Sequence, residues 1–274
     1  MNLIPQEEQR RIQLNLLKYF AQICEENHYR YYVIDGTLLG TIRHKGYIPW
    51  DDDIDVAMPR TDYDKFLKEF SGINRDGNVK LISRNTNPLY HLAFAKLYDG
   101  TTTLRERRVR KKYQFLYGIY IDIFPLDSVP SDPKARKRFV MRNYYLSKTI
   151  SMNVIGLEVS HKSWVGKVLY TALYYLQKPF PIQHLTGLQE KWIKSCNEKN
   201  RGSGLVKELA FQDADVELYF FEEDFRECVK MPFENLLVRV PKGYDRILRN
   251  TYGDYMQLPP ESERINHGIE AYTI

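Results

Sequence analysis

The chain has 274 residues, of which 43% are apolar and 27% charged, with a formal net charge of +5 and 21 tyrosines. That is ample for a sizeable core in one domain with an insertion. Cys24, Cys196 and Cys228 lie far apart without metal spacing or even pairing, no apolar run reaches a membrane-spanning length, and Met1 to Arg11 carries charge where a secretory signal needs an apolar segment. A disulfide framework, a membrane span and export are therefore not expected, and reduced thiols in the cytoplasm are.

Residues 5 to 27 place Ile12, Leu16, Phe20 and Ile23 at helical spacing, with Pro5 near the start. This predicts an amphipathic helix on a sheet. Tyr31 to Asp35 reads as a short strand running into Gly36-Thr37 and a brief helical pattern through Arg43. Glycine lets backbone approach an anion, and amides at a helix start favour negative charge, so Gly36 and Thr37 are candidate phosphate contacts. A Gly-Thr pair alone is more often an ordinary turn.

The stretch Trp50-Asp51-Asp52-Asp53-Ile54-Asp55-Val56-Ala57-Met58 predicts a strand carrying a metal site. Side chains two apart share a face, so Asp53 and Asp55 point one way while Ile54 and Val56 enter a core. Two aligned carboxylates repel unless a cation or proton neutralises them, and oxygen ligands of this kind suit magnesium or manganese. The bland alternative is a solvated acidic turn. An EF-hand is excluded, because Val56 stands where the sharp turn needs glycine and Asp62 where a bidentate Glu is expected.

Pro59 and Arg60 end this strand, and a helix follows from Thr61 through Phe70. Val79 to Ser83 and His91 to Tyr98 read as strands. Lys96, on the second, is a snorkelling edge residue or, if the strand is central, a phosphate contact. Between Arg105 and Lys112 six of eight positions are basic: Arg105, Arg107, Arg108, Arg110, Lys111 and Lys112. Such a run is usually solvated; with no nucleic-acid motif nearby, it suits a diphosphate or anionic headgroups better than RNA. Tyr117 to Phe124 is a strand with one carboxylate, Asp122, in an apolar alternation. A third carboxylate meeting Asp53 and Asp55 would complete a phosphoryl-transfer site. A helical block follows, from Asp132-Pro133 to about Asn153, Ser163 to Gln177 and Ile182 to Lys199. Strands at Phe225 to Met231 and Leu236 to Val240 form a hairpin about Pro232-Phe233-Glu234-Asn235, and a last helix, Tyr244 to Tyr252, stops at Gly253.

Positions 36 to 60, GTLLGTIRHKGYIPWDDDIDVAMPR, resemble the signature of the LicD family of phosphocholine transferases, relatives of the fukutin proteins. The resemblance continues in Ile121-Asp122-Ile123-Phe124-Pro125-Leu126-Asp127, in Val240 to Tyr244 and in Tyr252 to Pro260. It implies an α+β fold: a nucleotidyltransferase-like mixed sheet flanked by helices, with a helical insertion. The expected division is a catalytic core at 1–130, the insertion at 131–205 and the remainder of the catalytic domain at 206–274.

The resemblance further implies transfer of phosphocholine from CDP-choline to a sugar hydroxyl of a teichoic-acid or other surface-glycan precursor. Mg2+, or Mn2+, would be held by Asp53, Asp55 and Asp122, and phosphate oxygens by Gly36 and Thr37. Arg43, Lys45 and Lys96 are candidate anion contacts, and His44 or one of the three carboxylates the base. Trp50, with Tyr113, Phe115, Tyr117, Tyr120 and Phe124, supplies ring faces for a trimethylammonium. The expected partners are the nucleotide donor, a lipid-linked glycan acceptor and an anionic membrane met peripherally on its inner face, with no nucleic acid. The rivals are transfer of a polyol or sugar phosphate, an Asp-x-Asp glycosyltransferase, and a non-catalytic binding protein.

Overall fold

In the computed structural model, which describes residues 2–105, 109–157, 164–210, 215–264, 266 and 270–274, α1 (Gln6–Glu26) buries Leu16, Leu17, Phe20, Ile23 and Cys24 along one face. Pro5 precedes it, and Glu7 and Glu8 suit the positive end of the helix dipole. Then come β1 (Tyr32–Val33), α2 (Asp35–Arg43), β2 (Asp55–Pro59), α3 (Arg60–Ile73), β3 (Val79–Ile82), β4 (Ala95–Asp99), β5 (Thr102–Arg105) and β6 (Tyr120–Ser128). The main sheet runs β1-β2-β6-β4-β3, with β2 parallel to β6 and the other neighbours antiparallel. Its core residues Ile54, Val56, Leu97, Ile121 and Ile123 are fully buried, each contributing roughly 1.5–3 kcal/mol by leaving water.

The helical block is α4 (Pro133–Ile155), α5 (Trp164–Gln177) and α6 (Ile182–Lys199). Asp132 caps α4 by accepting from the Ala135 amide at 2.8 Å, with Pro133 at the first helical position. Buried Gln189 of α6 donates to Asn143 and Ser147 of α4, and Asn197 accepts the Ser128 amide at the end of β6. Beyond lie β7 (Leu205–Lys207), β8 (Phe220–Phe221), the hairpin β9 (Cys228–Phe233) and β10 (Leu236–Pro241), α7 (Tyr244–Tyr252) and β11 (Glu270–Thr273). The strand β7 extends the sheet at the far end of β6. The mixed sheet and its helices make an α+β fold.

Several expected boundaries move, each for a physical reason. The acidic strand begins at Asp55, and Asp51 to Ile54 form a loop. The Asp51 and Asp52 carbonyls are taken by α1 instead of by a neighbouring strand, from Arg10, which also donates to Ile48 and Pro49, and from Gln13; the Ile54 carbonyl already accepts the Asp122 amide of β6. The strand expected to end at Phe124 runs on through Pro125 to Ser128. The Asp122 amide faces β2, so by alternation Pro125 faces the other edge, where β4 has ended and β7 not yet begun. Residues 91–94 lie outside the strand that holds Lys96, and Glu222–Phe225 is a 3-10 turn, not a strand start. The hairpin turn is only Glu234-Asn235, because Pro232 and Phe233 pair with Leu237 and Leu236.

Two pairings have no counterpart in the sequence pattern. β11 pairs with β5, and Leu3 bridges to Tyr272, tying both ends of the chain together. Cys24 and Cys196 are buried and Cys228 exposed, none in a disulfide. Arg107 and Arg108 of the basic run lie outside the described residues. Among the described residues no helix is long and apolar enough to cross a membrane.

Candidate active site

The register of three strands builds the centre. Asp55 on β2 stands opposite Asp122 on β6, and Asp122 stands opposite Lys96 on β4. All three are buried, so the sheet carries two acids and one base side by side at one level. The Lys96 amine meets Asp122 Oδ1 at 2.5 Å and lies 3.4 Å from the centroid of the Tyr120 ring, with Phe94 and Tyr117 at 5.1 and 5.3 Å. Aromatic faces and a carboxylate are what a desolvated ammonium requires. β4 is an interior strand, and the amine turns to Asp122 without reaching the cavity that Asp122 lines.

Asp55 is fixed differently. Its amide donates to Thr37 Oγ1 at 2.8 Å, and the Thr37 hydroxyl of α2 thereby sets the head of β2. Burial, then the charges of Asp53 and Asp122, push the Asp55 carboxyl well above the usual range. Gly36 lets α2 approach the acidic loop, since a β-carbon there would sit 2.5 Å from Asp51 Oδ2.

These groups line a cavity of about 920 Å³, near the top of the range for small-molecule sites. Gly36, Arg43, Trp50, Asp53, Asp55 and Asp122 reach it; Thr37 stands behind it as the support of Asp55. Arg43 donates to the Tyr255 and Gln257 carbonyls, tying α2 to the loop after α7; Tyr252 at the end of α7 and Pro259 and Pro260 of that loop also line the cavity. His44 is set edge-on to Trp50 outside the cavity, its pKa lowered by burial and by Arg43. Lys45 is exposed, with a left-handed φ of 61° and its amine on the Ile42 carbonyl. Its own carbonyl accepts the Glu234 amide, so this turn docks the β9–β10 hairpin.

Sequence reasoning missed Asp35 and Glu208. Both are cavity-lining and share a hydrogen bond, with burial the main cause of a pKa raised to about 6 for Asp35 and well above the glutamate range for Glu208. Asp35 Oδ2 and Glu208 Oε1 have no hydrogen-bond partner among the described residues. Asp35 was visible only as the end of a strand, and Glu208 follows a three-residue strand with no pattern of its own. The aromatic material also differs from expectation. Trp50 and Phe124 line the cavity, joined by Phe94, Phe220, Tyr252 and Tyr255, whereas the Tyr120 ring serves Lys96. Tyr113 and Tyr117 belong to separate clusters, and Phe115 is exposed.

The donor set is hard oxygen. Asp51, Asp52 and Asp53 can bring ligand atoms within 4.8 Å of one another, and Asp55 and Asp122 stand beside Asp53 in the cavity wall. Lys207, at the same wall, spends its amine on the Asp215 and Leu218 carbonyls. Burial first, and then the neighbouring charges of Asp53 and Asp122, raise the Asp55 pKa, and a divalent cation is one group that would relieve both.

Residues 28–161 match the family described as LicD/FKTN/FKRP, nucleotidyltransferase domain. The chain is 31% identical over 276 residues to the lipopolysaccharide cholinephosphotransferase LicD of Haemophilus influenzae, covering 100% of both chains. Shorter matches join it to uncharacterized proteins of Rickettsia typhi, 36% identical over 58 residues (20% of this chain, 19% of the relative), and Rickettsia prowazekii, 40% identical over 47 residues (17% and 18%). Sheet, cavity and similarity define an enzyme of the phosphotransferase class on a nucleotidyltransferase-type domain. The chain belongs to the LicD family.

Proposed function

We propose that the enzyme transfers phosphocholine from CDP-choline to a sugar hydroxyl of a teichoic-acid or other cell-surface glycan precursor. The observation that carries this reading is the Asp55–Asp122 register at the wall of a cavity that is both acidic and ring-lined, in a chain similar end to end to a cholinephosphotransferase. Asp53, Asp55 and Asp122 are the residues that would hold Mg2+ or Mn2+, which when bound supplies positive charge against the donor diphosphate and the departing CMP. Gly36 and the first amides of α2 suit phosphate oxygens, because a helix start offers N–H groups without an intrahelical acceptor. Lys96 holds Asp122 in place from behind. Asp35 and Glu208 keep a proton between two carboxyls in the same wall, a store from which acid or base chemistry on the acceptor hydroxyl can draw.

For the cargo, the Phe94–Phe124 pair, with centroids 4.3 Å apart, and the rings of Trp50 and Tyr255 offer faces to a trimethylammonium, which cannot donate hydrogen bonds. Residues 131–205 are an insertion in this reading, and the acceptor is lipid-linked, met at the inner membrane face. The test is a donor screen with magnesium, following CMP release. CDP-choline should be used clearly better than CDP-ethanolamine, from which it differs by three methyls. Equal use of the two, or a preference for CDP-ribitol, CDP-glycerol or a UDP-sugar, overturns the choline assignment.

A further inference from the structure

The helix α5 is packed the wrong way round for a helix in water. Val165, Val168, Leu169, Ala172, Leu173 and Leu176 follow the spacing of a single helix face, and that face is outward: its valines and leucines are 47% to 71% exposed. The stripe turned to the protein is the mixed one, with Tyr174 and Gln177 buried and the Tyr170 hydroxyl donating to the Gly156 carbonyl. Trp164, 77% exposed, and Phe180, 51% exposed, extend the apolar surface at the two ends.

We propose that α5 lies in the surface of an anionic bilayer with this aliphatic stripe among the acyl chains. The charge of the block selects that occupant. From Pro133 to Lys199 the sequence has twelve Lys or Arg and three acidic residues, Glu158, Glu190 and Glu198. Lys134, Lys137, Arg138, Lys148, Lys167 and Lys178 of this segment are exposed. Two copies of so basic a block would repel each other in a symmetric dimer, whereas anionic headgroups attract it. An aliphatic face with exposed basic residues and an aromatic at its end is the pattern of a helix lying in the interface, and at 14 residues it is too short to span. The inference deepens the membrane contact proposed above, and it is independent of the choline assignment.

The experiment uses the full chain and vesicles of phosphatidylcholine with or without phosphatidylglycerol, at low and high salt. The expected result is co-sedimentation with the anionic vesicles, weakened by salt, and a blue shift of tryptophan fluorescence that Trp164→Phe removes. Leu169→Glu with Leu176→Glu should weaken binding by about tenfold or more while thermal unfolding stays as in the parent. Lys167→Glu with Lys178→Glu should weaken binding to anionic vesicles, giving a second variant at exposed sites. Turnover of CDP-choline on a soluble acceptor is measured in parallel; its loss sinks the choline reading without touching this one. Equal binding to neutral vesicles at low salt, or binding that neither variant alters, overturns the proposal. So does a dimer, or a complex with an acidic protein, that buries the stripe while vesicles go unbound.

Discussion

Lys96 and Asp122 form an ion pair of 2.5 Å across adjacent strands, with side chains only 3% and 8% exposed. Asp122 therefore carries a resident counter-charge, while Asp55, opposite it on the other strand, has the charges of Asp53 and Asp122 for neighbours. The sheet thus balances one carboxylate internally and leaves Asp55 to be neutralised by a proton or from the cavity side.

Replacing Lys96 by Met should expose that balance. It strands a buried carboxylate among rings, a change that costs ~3–5 kcal/mol when one partner of a buried pair is removed. Urea unfolding of the metal-free variant measures it. Magnesium should return more stability to Lys96→Met than to the parent, since a cation would replace the lost ammonium; an equal gain in both would separate Lys96 from the metal site.

Asp53→Asn, Asp55→Asn and Asp122→Asn should each leave a folded protein and lower kcat on the order of 10³-fold, as expected for loss of transition-state charge stabilisation at a metal. Chelation should abolish turnover in the parent and magnesium restore it. Near-normal kcat in any one variant would remove that residue from the ligand set.

The acid pair predicts a pH dependence with a definite sign. The Asp35 carboxyl is raised from about 3.8 in an unfolded chain to about 6 in the fold, so its contribution to stability is full below pH 3.8 and is lost as pH rises through 6. A shift of this size is worth roughly 3 kcal/mol. In chelator, unfolding free energies of Asp35→Asn should lack this decline, and a parallel profile for parent and variant would refute the shared proton.

Gly36→Ala places a methyl 2.5 Å from Asp51 Oδ2, and either α2 or the acidic loop must give way. The expected effect is about 10²-fold in kcat/KM, the penalty that an ångström of misplacement brings, with little change in melting temperature. Magnesium titration followed by calorimetry should show weaker binding.

What the sequence made legible follows from local pattern. Asp55 and Asp122 stood out because a carboxylate in an apolar alternation needs a reason, and the same alternation placed Ile54 and Val56 in the core. Arg60 and Asp127, the latter inside the family motif, gave no such signal, yet they form a buried bidentate pair at 2.6 and 2.7 Å joining α3 to the end of β6. The sequence shows the Thr37 hydroxyl as a candidate phosphate contact but does not show its bond to the Asp55 amide, 18 residues away. Glu208 and the β5–β11 pair depend on long-range packing that no periodicity encodes. The acidic loop reads as strand because propensity cannot show that Arg10 and Gln13 claim the Asp51 and Asp52 carbonyls.

The bond from Arg43 to the Tyr255 carbonyl spans 212 residues of sequence, and both groups wall the same cavity. A site closed by its most distant segments has high contact order, so its assembly is a late event in folding. The helical block can form from local contacts long before α2 and the loop after α7 have met. During synthesis the acidic residues of the cavity would exist without Tyr255 and its neighbours until the segment after α7 has emerged. On refolding from urea, helical circular dichroism should recover first, with donor binding and turnover following as a slower phase.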